Sequence, residues 1–585
     1  MFPRVTQVKN KQGAVRSYLQ ILESYYEQGK RKHHVVANLG RLDEIGDKLP
    51  ALLKSLSRFT EEPWVTADDL RAEEALSWGT ILLSRTLYDR LNLGEIIRQH
   101  AGSVQQKFDV GETAFVLVAN RLTDPSSEHG LARWLEQYYV CDRNGRRWVP
   151  EWLPEEAITR KRRVRVEDRQ LNGWYRTLDA LWEGKREIER DLYLRVRDLF
   201  SLQVDMVFYD VTSTYFARRR AKGELRRHGY SRDGKPRNVQ VVVGVVIANG
   251  WPIAHHVFAG DTADKKTFRG VVEDVEGRFG LRRVLVVGDR GMVSEENLEF
   301  LGEGGREVRY LLGVPGRQSK EAREVLGKLE EGRWERVDGG NRVQEVRLDE
   351  SGVRYFVVES AERREYEEEL RRRSMERVRA RLEKIVEAVG RGRLNDKVKL
   401  AGRAARAMQG DHASRYYAYE IGEGGGFRYW EDEEKLGRER EREGKYILKT
   451  DDGGMEAGKS VEIYKQLSEV EWAYRDLKDV IEMRPVYHKT DRRVEAHIFV
   501  ATLALFLKRT LEHELEARGE EMSGTEALAA MRSMGVGIIE VGEEKRLLVS
   551  RGGRDARRLV KVLGIEDIEP PKATGGVRTG VETAM

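Results

Sequence analysis

Three acidic residues, far apart in the chain, could act together. Asp210 stands in Phe208-Tyr209-Asp210-Val211-Thr212, Asp289 in Val287-Gly288-Asp289-Arg290-Gly291, and Glu471 in a helical stretch from Ser460 to Asp479. Each aspartate reads as the end of a hydrophobic strand, and a carboxylate there sits at the sheet edge where α/β folds build sites. Two such carboxylates on adjacent strands repel unless a cation lies between them. Mg²⁺ suits that position, because it is held by a few carboxylates, waters and phosphate oxygens. On the helix, Tyr464, Leu467, Glu471 and Lys478 fall three, four and seven residues apart and form one stripe at 3.6 residues per turn. Arg475 lies near the same face, within reach of an i,i+4 pair with Glu471. Taken singly, these residues also read as strand-end turns and an exposed salt-bridged stripe.

The elements that would position them are α/β: a mixed sheet with flanking helices, interrupted by a β-rich insertion, plus an N-terminal helical domain. Residues 1–60 form a small β unit, with strands at Val15 to Tyr26 and His34 to Leu39 about a turn at Gln28-Gly29-Lys30. Residues 61–203 are helical, with apolar three-and-four spacing in Leu70 to Leu93, Glu112 to Leu122, Ser126 to Tyr138 and Trp174 to Phe200, and a helix start at Asp124-Pro125-Ser126. Residues 204–314 carry strands at Met206 to Val211, Val239 to Ile247, Ile253 to Phe258, Val284 to Asp289 and Glu307 to Val314, with a helix at Phe268 to Phe279. Residues 315–444 read as the insertion. Residues 445–515 return to the core with the Glu471 helix, and 516–585 are partly disordered at the end.

The 585 residues include 104 Lys and Arg against 99 Asp and Glu, a net charge of +5, which by itself names no partner. Local clusters say more: Arg160, Lys161, Arg162, Arg163 and Arg165, then Arg218, Arg219, Arg220, Lys222, Arg226 and Arg227. The single cysteine, Cys141, excludes an internal disulfide and a cysteine-based zinc site. The longest apolar run, Ile498 to Leu507, is too short to span a bilayer, so a soluble intracellular protein is expected. Neighbouring His33-His34 and His255-His256 point to opposite faces of a strand and are not expected to bind metal together.

In combination these segments resemble the DDE insertion-sequence transposases with an RNase H-like core, in the group marked by a Tyr-Arg-Glu-Lys signature. Tyr464, Glu471 and Lys478 match that signature, while Leu467 occupies the arginine position. Tyr209 to Thr214 and Gly288 to Met292 resemble the two aspartate segments. Gly229 to Asp233, Lys445 to Thr450, Arg484 to His488 and Ala496 to Ile498 resemble the stretches between and after them. The 182 residues from Asp289 to Glu471 leave room for the inserted unit that members of the family carry there.

The resemblance implies two Mg²⁺ (or Mn²⁺) ions held by Asp210, Asp289 and Glu471, cleavage at the element ends and joining of 3′-hydroxyls to target DNA. Tyr464, Arg475, Lys478, Arg290 and the run Arg160, Lys161, Arg162, Arg163 become DNA contacts. The partners implied are double-stranded DNA, as terminal inverted repeats and target, and a second copy in a homodimer on DNA, with no membrane. The location implied is a prokaryotic, nucleoid-associated cytoplasmic one. Trp334 and Trp430 of the insertion are candidates for holding a flipped base, although core packing is the plainer reading. Two other functions fit parts of the pattern: an RNase H-like nuclease that cuts without joining, and a DNA-binding protein that has lost catalysis. The acidic trio weighs against the second, because binding alone has no use for carboxylates set against phosphate.

Overall fold

The structure, a computed structural model, describes the chain apart from residues 11–12, 57–58, 60–69, 103–107, 150–159, 201–205, 218–219, 221, 282–284, 289–293, 303–307, 315–318, 338–339, 349–351, 542–543 and 573–585. It opens with a three-stranded antiparallel sheet, β1 (Phe2–Lys9), β2 (Val15–Glu27) and β3 (Lys30–Arg41). Gln28 and Gly29 both have positive φ in the two-residue turn between β2 and β3, the geometry that matches strand twist in a tight hairpin. The polar first residues pair along the whole of β1, a strand that apolar patterning did not signal.

Leu70–Ser77, expected to open a helix, is a strand, β4, paired with a distant segment near the C-terminus. Helix begins only at Gly79, where an added Cβ would lie 2.2 Å from the Met531 carbonyl oxygen. The helix Val110–Thr123 is buried along its entire length, and Asp109 caps it by accepting from the Glu112 amide. The Asp124-Pro125-Ser126 segment does not start the next helix. It folds back, its Ser126 amide donating to the Asn120 side chain, and the helix begins at Leu131. The long pattern ending at Phe200 is two helices, Arg160–Glu183 and Lys185–Phe200, parted at Gly184 against the His100 carbonyl.

The central sheet begins with β5 (Met206–Tyr215), β6 (Gln240–Ala248), β7 (Trp251–Ala259), β8 (Leu285–Gly288) and β9 (Arg309–Gly313). Their spatial order is β7-β6-β5-β8-β9, with β5–β6 and β6–β7 antiparallel and β5–β8 and β8–β9 parallel: an RNase H-like mixed sheet. Every residue of β6 is buried, as its nearly unbroken apolar run requires of a strand covered on both faces. Helix Asp264–Phe279 covers one face through Phe268, Val271 and Val275. Gly244 leaves room for the Tyr209 ring, whose hydroxyl bonds Thr267 of that helix at 2.8 Å.

The region expected as a β-rich insertion is not one unit. Its strands β10 (Glu335–Val337), β11 (Asn341–Val346) and β12 (Arg354–Ser360) join the central sheet, which has nine strands in all. The remainder is mainly helical: Ala361–Gly390, Lys397–Met408 and Glu433–Arg442 surround the hairpin β13 (Tyr417–Ile421) and β14 (Phe427–Glu431) on a separate core of Val378, Leu382, Leu400 and Leu436. Strand β15 (Lys445–Thr450) then pairs with both β12 and β9, joining the extension to the core.

The buried helix Asp491–Glu516 lies on the other side of the sheet and packs against both Val110–Thr123 and Arg160–Glu183. One continuous hydrophobic core therefore runs from Leu76 to Ile565, through the helical region and the sheet alike. The change expected at 203–204 is one of secondary structure, not of core. Near the C-terminus, β16 (Gly535–Val541) pairs with β4 and with β17 (Glu544–Val549), and helix Arg554–Val562 follows. Residues 573–585, expected to be disordered, lie outside the described residues. Among the described residues no helix is long and apolar enough to cross a membrane.

Candidate active site

Asp210 does not end its strand. β5 continues to Tyr215, because Thr212, Ser213 and Thr214 keep pairing with Val243, Val242 and Val241 of β6. Asp210 is half-buried in mid-strand, opposite Val245. Alternation turns Tyr209 toward helix Asp264–Phe279, so Asp210 belongs to the opposite face. On its other side β5 runs parallel to β8, with Tyr209 opposite Gly288. Asp289 and Arg290, the next residues, lie outside the described residues.

The helix expected over Ser460 to Asp479 is three pieces. Ala457–Lys465 ends in a turn at Gln466 and Leu467, Ser468–Arg475 follows, and Asp476–Val480 is a π-helical turn. A single stripe of Tyr464, Leu467, Glu471 and Lys478 therefore does not form. Val470, Ala473, Tyr474 and Leu477 are the buried face, while Glu471 and Arg475 are exposed. π-turns inside helices recur at functional sites because they re-aim the side chains that follow.

Tyr474 ties this helix to the strand of Asp210. Its buried hydroxyl accepts from the Val245 amide at 3.1 Å and donates to the Asp210 carbonyl, with the Val243 carbonyl 3.3 Å away. The phenol thus stands between the two backbone groups that face each other across β5 and β6. Burial, with Asp210 and Tyr209 nearby, raises its pKa well above the ordinary tyrosine value, so the proton stays on the oxygen. Glu471 lies one helical turn before this anchor, three residues away.

Lys478 has an intramolecular partner. Its Nζ is 2.9 Å from Asp233 Oδ1, which also receives Arg484 Nη1, and Arg484 Nη2 reaches Asp479 at 2.6 Å. Asp233 sits on the segment that follows Gly229. Arg232 fastens that segment through its amide to Ser213 Oγ (3.0 Å) and through Nη2 to both Asp264 carboxylate oxygens (2.7 and 2.8 Å). Tyr464 is half-buried and stacks on Tyr446 with ring centroids 5.8 Å apart. Arg160, Lys161, Arg162 and Arg163 open a described helix, but their side chains lie outside the described residues. In the second basic cluster, Arg226 is buried and donates to the Lys489 carbonyl, and Arg227 donates to the Gly223 carbonyl at 2.7 Å.

Sequence reading missed Tyr474, Asp233 and Trp472. The three-and-four spacing marks Tyr474 as buried but gives no hint that its hydroxyl reaches Asp210. Asp233 was seen only as part of a family stretch. Trp472, beside Glu471, is 52 % exposed, unusual for so large an apolar ring. Trp334 is half-buried under Arg342, and Trp430 is 46 % exposed beside Arg428. His255 bonds Glu189 at 2.6 Å, whereas His256 lies 3.4 Å from Asp274.

Among the described residues, the group of side chains whose ligand atoms converge as a metal site would require is Glu128, His488 and His497, within 4.8 Å of one another and all buried. That cluster already holds a cation of its own. Arg121 Nη2 is 3.3 Å from His497 Nδ1, and His497 Nε2 is 3.0 Å from the Met483 carbonyl. A buried guanidinium there opposes a second positive charge. Asp210 and Glu471 are hard oxygen donors on elements joined by Tyr474, and Glu471 faces solvent without an ion pair among the described residues, a donor set that fits Mg²⁺. Cys141 is buried and its thiol is pushed up to about 12 by desolvation, which leaves it protonated and inert.

Residues 205–507 match the family described as "Transposase DDE domain", and residues 3–70 match "IS1634 family transposase, N-terminal domain". No curated protein matches the chain. Solved structures similar to it include the piggyBac transposase in a synaptic complex with hairpin DNA, at 10% identity over 84% of this chain and 86% of that one, with a TM-score of 0.36. Another is the Mos1 transposase paired-end complex with the left transposon end, at 14% identity over 34% of this chain and 57% of that one, with a TM-score of 0.13.

Proposed function

This chain belongs to the DDE transposase family, and on that premise we propose that Asp210, Asp289 and Glu471 form one carboxylate centre that cuts DNA at element ends and joins the freed ends to target DNA. The observation that carries the reading is the Tyr474 hydroxyl, which links the helix of Glu471 to the backbone of Asp210 itself. Parallel pairing adds to it. Tyr209 lies opposite Gly288, the residue that precedes Asp289 in the sequence.

Three carboxylates suit two Mg²⁺ or Mn²⁺ ions. When bound, such ions stabilise the attacking and leaving oxygens of an in-line displacement at phosphorus. The remaining work belongs to the chain. Tyr474 keeps the helix in register with the strand, and the Asp233 pairs hold the segments around it. Exposed Arg475 offers a planar fork to a phosphate. Water attacks the phosphodiester at the element end, and the 3′-hydroxyl so freed attacks a phosphodiester of the target. Each displacement exchanges one P–O bond for another, with no covalent enzyme intermediate. We assign the chain to the Tyr-Arg-Glu-Lys group on Tyr464, Glu471 and Lys478. Because Leu467 fills the arginine position, Arg475 supplies the guanidinium. Terminal inverted repeats and target DNA are the substrates, and a homodimer would bring one centre to each end.

Asp289→Asn tests this directly. It should lower Mg²⁺-dependent nicking of element-end DNA by about 10²–10³-fold, the scale of removing a group that stabilises transition-state charge, while end binding stays within a few-fold. Parallel loss of binding and nicking would make Asp289 structural and overturn the assignment. Strand-transfer products from the wild type distinguish joining from cutting alone.

A further inference from the structure

The net positive charge lies at one end of the chain. Residues 1–41 carry eight lysines and arginines against two acidic residues, Glu23 and Glu27, a net +6. The whole chain is +5, so the other 544 residues together are −1. A catalytic centre made of carboxylates repels phosphate, and basic residues elsewhere on the chain must offset that repulsion.

Cross-strand register sorts these charges by face, because residues directly opposite in an antiparallel pair share a face. Arg4 is opposite Gln20, Arg16 opposite Val8, and Arg31 opposite Tyr26. Positions 16, 20 and 26 of β2 differ by even steps, so the three arginines share one face, with His33 opposite Ser24 beside them. Both glutamates are on the other face, Glu23 opposite His34 and Glu27 opposite Lys30. There Lys32 pairs with Glu27, and His34 Nε2 lies 3.5 Å from Glu23. Among the described residues the remaining ion pairs of this unit belong to Arg41, with Asp43 and Glu44. Arg4, Arg16 and Arg31 are exposed, and Tyr26 stands among them 75 % exposed.

We propose that this arginine face of the N-terminal sheet is a duplex-DNA contact surface, separate from the carboxylate centre, that grips phosphates without reading sequence. Guanidinium forks match phosphate oxygens. The 13 residues of β2 extend over about 40 Å, roughly the rise of one duplex turn. The proposal rests on the transposase reading for its biological sense, but its test is independent.

The experiment compares full-length wild type with Arg4→Gln/Arg16→Gln/Arg31→Gln, measuring affinity for a 40-base-pair duplex across a salt series. The triple variant should bind at least 10-fold more weakly at 150 mM salt, and its slope of log K against log salt should fall by about 2–3, near 0.9 for each lost phosphate contact. Nicking at saturating DNA should stay unchanged, and Arg→Lys at the same three sites should restore most of the affinity. An unchanged affinity and slope in the triple variant would overturn the proposal. So would a photocrosslinker at Tyr26 that joins only to protein, or an equal loss from Lys9→Gln/Lys30→Gln on the other face. Wild type that binds the duplex through this face yet never nicks it would remove the transposase reading and leave the proposal standing.

Discussion

Two groups of side chains in this molecule have the composition of a metal site, and they differ in where their compensating charge comes from. Glu128, His488 and His497 meet in the interior, with Arg121 at hydrogen-bond distance and backbone carbonyls accepting around them. The members come from the helical layer and from the segments after the Glu471 helix, so the cluster works as a strut between the two. Asp210 and Glu471 have a half-buried and an exposed position, on elements whose own placement is secured by a tyrosine hydroxyl to backbone. Convergence of ligand types therefore does not by itself make a catalytic centre. A buried group must be neutralised by the protein, whereas a solvent-facing one remains able to draw its counter-charge from ions and substrate.

The sharpest way to break this comparison is Glu128→Leu. It removes the carboxylate that bonds His488 and His497 and whose charge offsets the buried Arg121, and should destabilise the fold by about 3–5 kcal/mol, read as the unfolding midpoint in urea, with added Mg²⁺ making no difference. If Mg²⁺ restored stability selectively to the wild type, the strut would be a metal site after all. The same cluster should respond to pH. Burial first, then Arg121, lowers His497 to about 4 from an ordinary 6.5, so below pH 6.5 the unfolded chain takes up the proton more readily than the folded one. His497 thus favours the fold fully above pH 6.5 and progressively less down to pH 4, a loss on the order of 3 kcal/mol. Glu128, held well below 4.5 by its histidine bonds although burial opposes this, loses its contribution in the same direction as pH falls. A melting temperature that did not drop between pH 7 and pH 5 would contradict this account.

Tyr474→Phe probes the other region. It strips the bridging hydroxyl from the Asp210 carbonyl and the Val245 amide, leaving buried backbone groups unsatisfied at about 1–3 kcal/mol. Nicking should fall by about 10-fold or more while DNA affinity holds; an equal fall in both would reduce the tyrosine to general packing. The smallest effect belongs to Arg475→Ala. Loss of one exposed phosphate contact should flatten the salt slope by about 0.9 and weaken binding only a few-fold, and an unchanged slope would remove Arg475 from the DNA path.

Much of this was legible in the chain. The nearly unbroken apolar run Val241 to Ile247, the apolar stretches before Asp210 and Asp289, and the Gln28-Gly29 turn all point to local structure that formed. Leu70–Ser77 misled, because its mixed pattern suits a helix as well as a strand and its partner, β16, is more than 450 residues away. The inserted region misled for a related reason. Short strands such as Glu335–Val337 do not reveal which sheet they will join, and these extend the central sheet rather than closing on themselves.

By itself the sequence put forward the three carboxylates proposed here, the strands that lead up to the two aspartates, and the excess of basic residues in the first forty, since these depend on residue type and local periodicity. Tertiary structure alone decided that Tyr474 meets Asp210, that Lys478 is taken up by Asp233, and that Arg4, Arg16 and Arg31 share one face. Those facts depend on register and on which distant backbone groups need a partner once water is excluded.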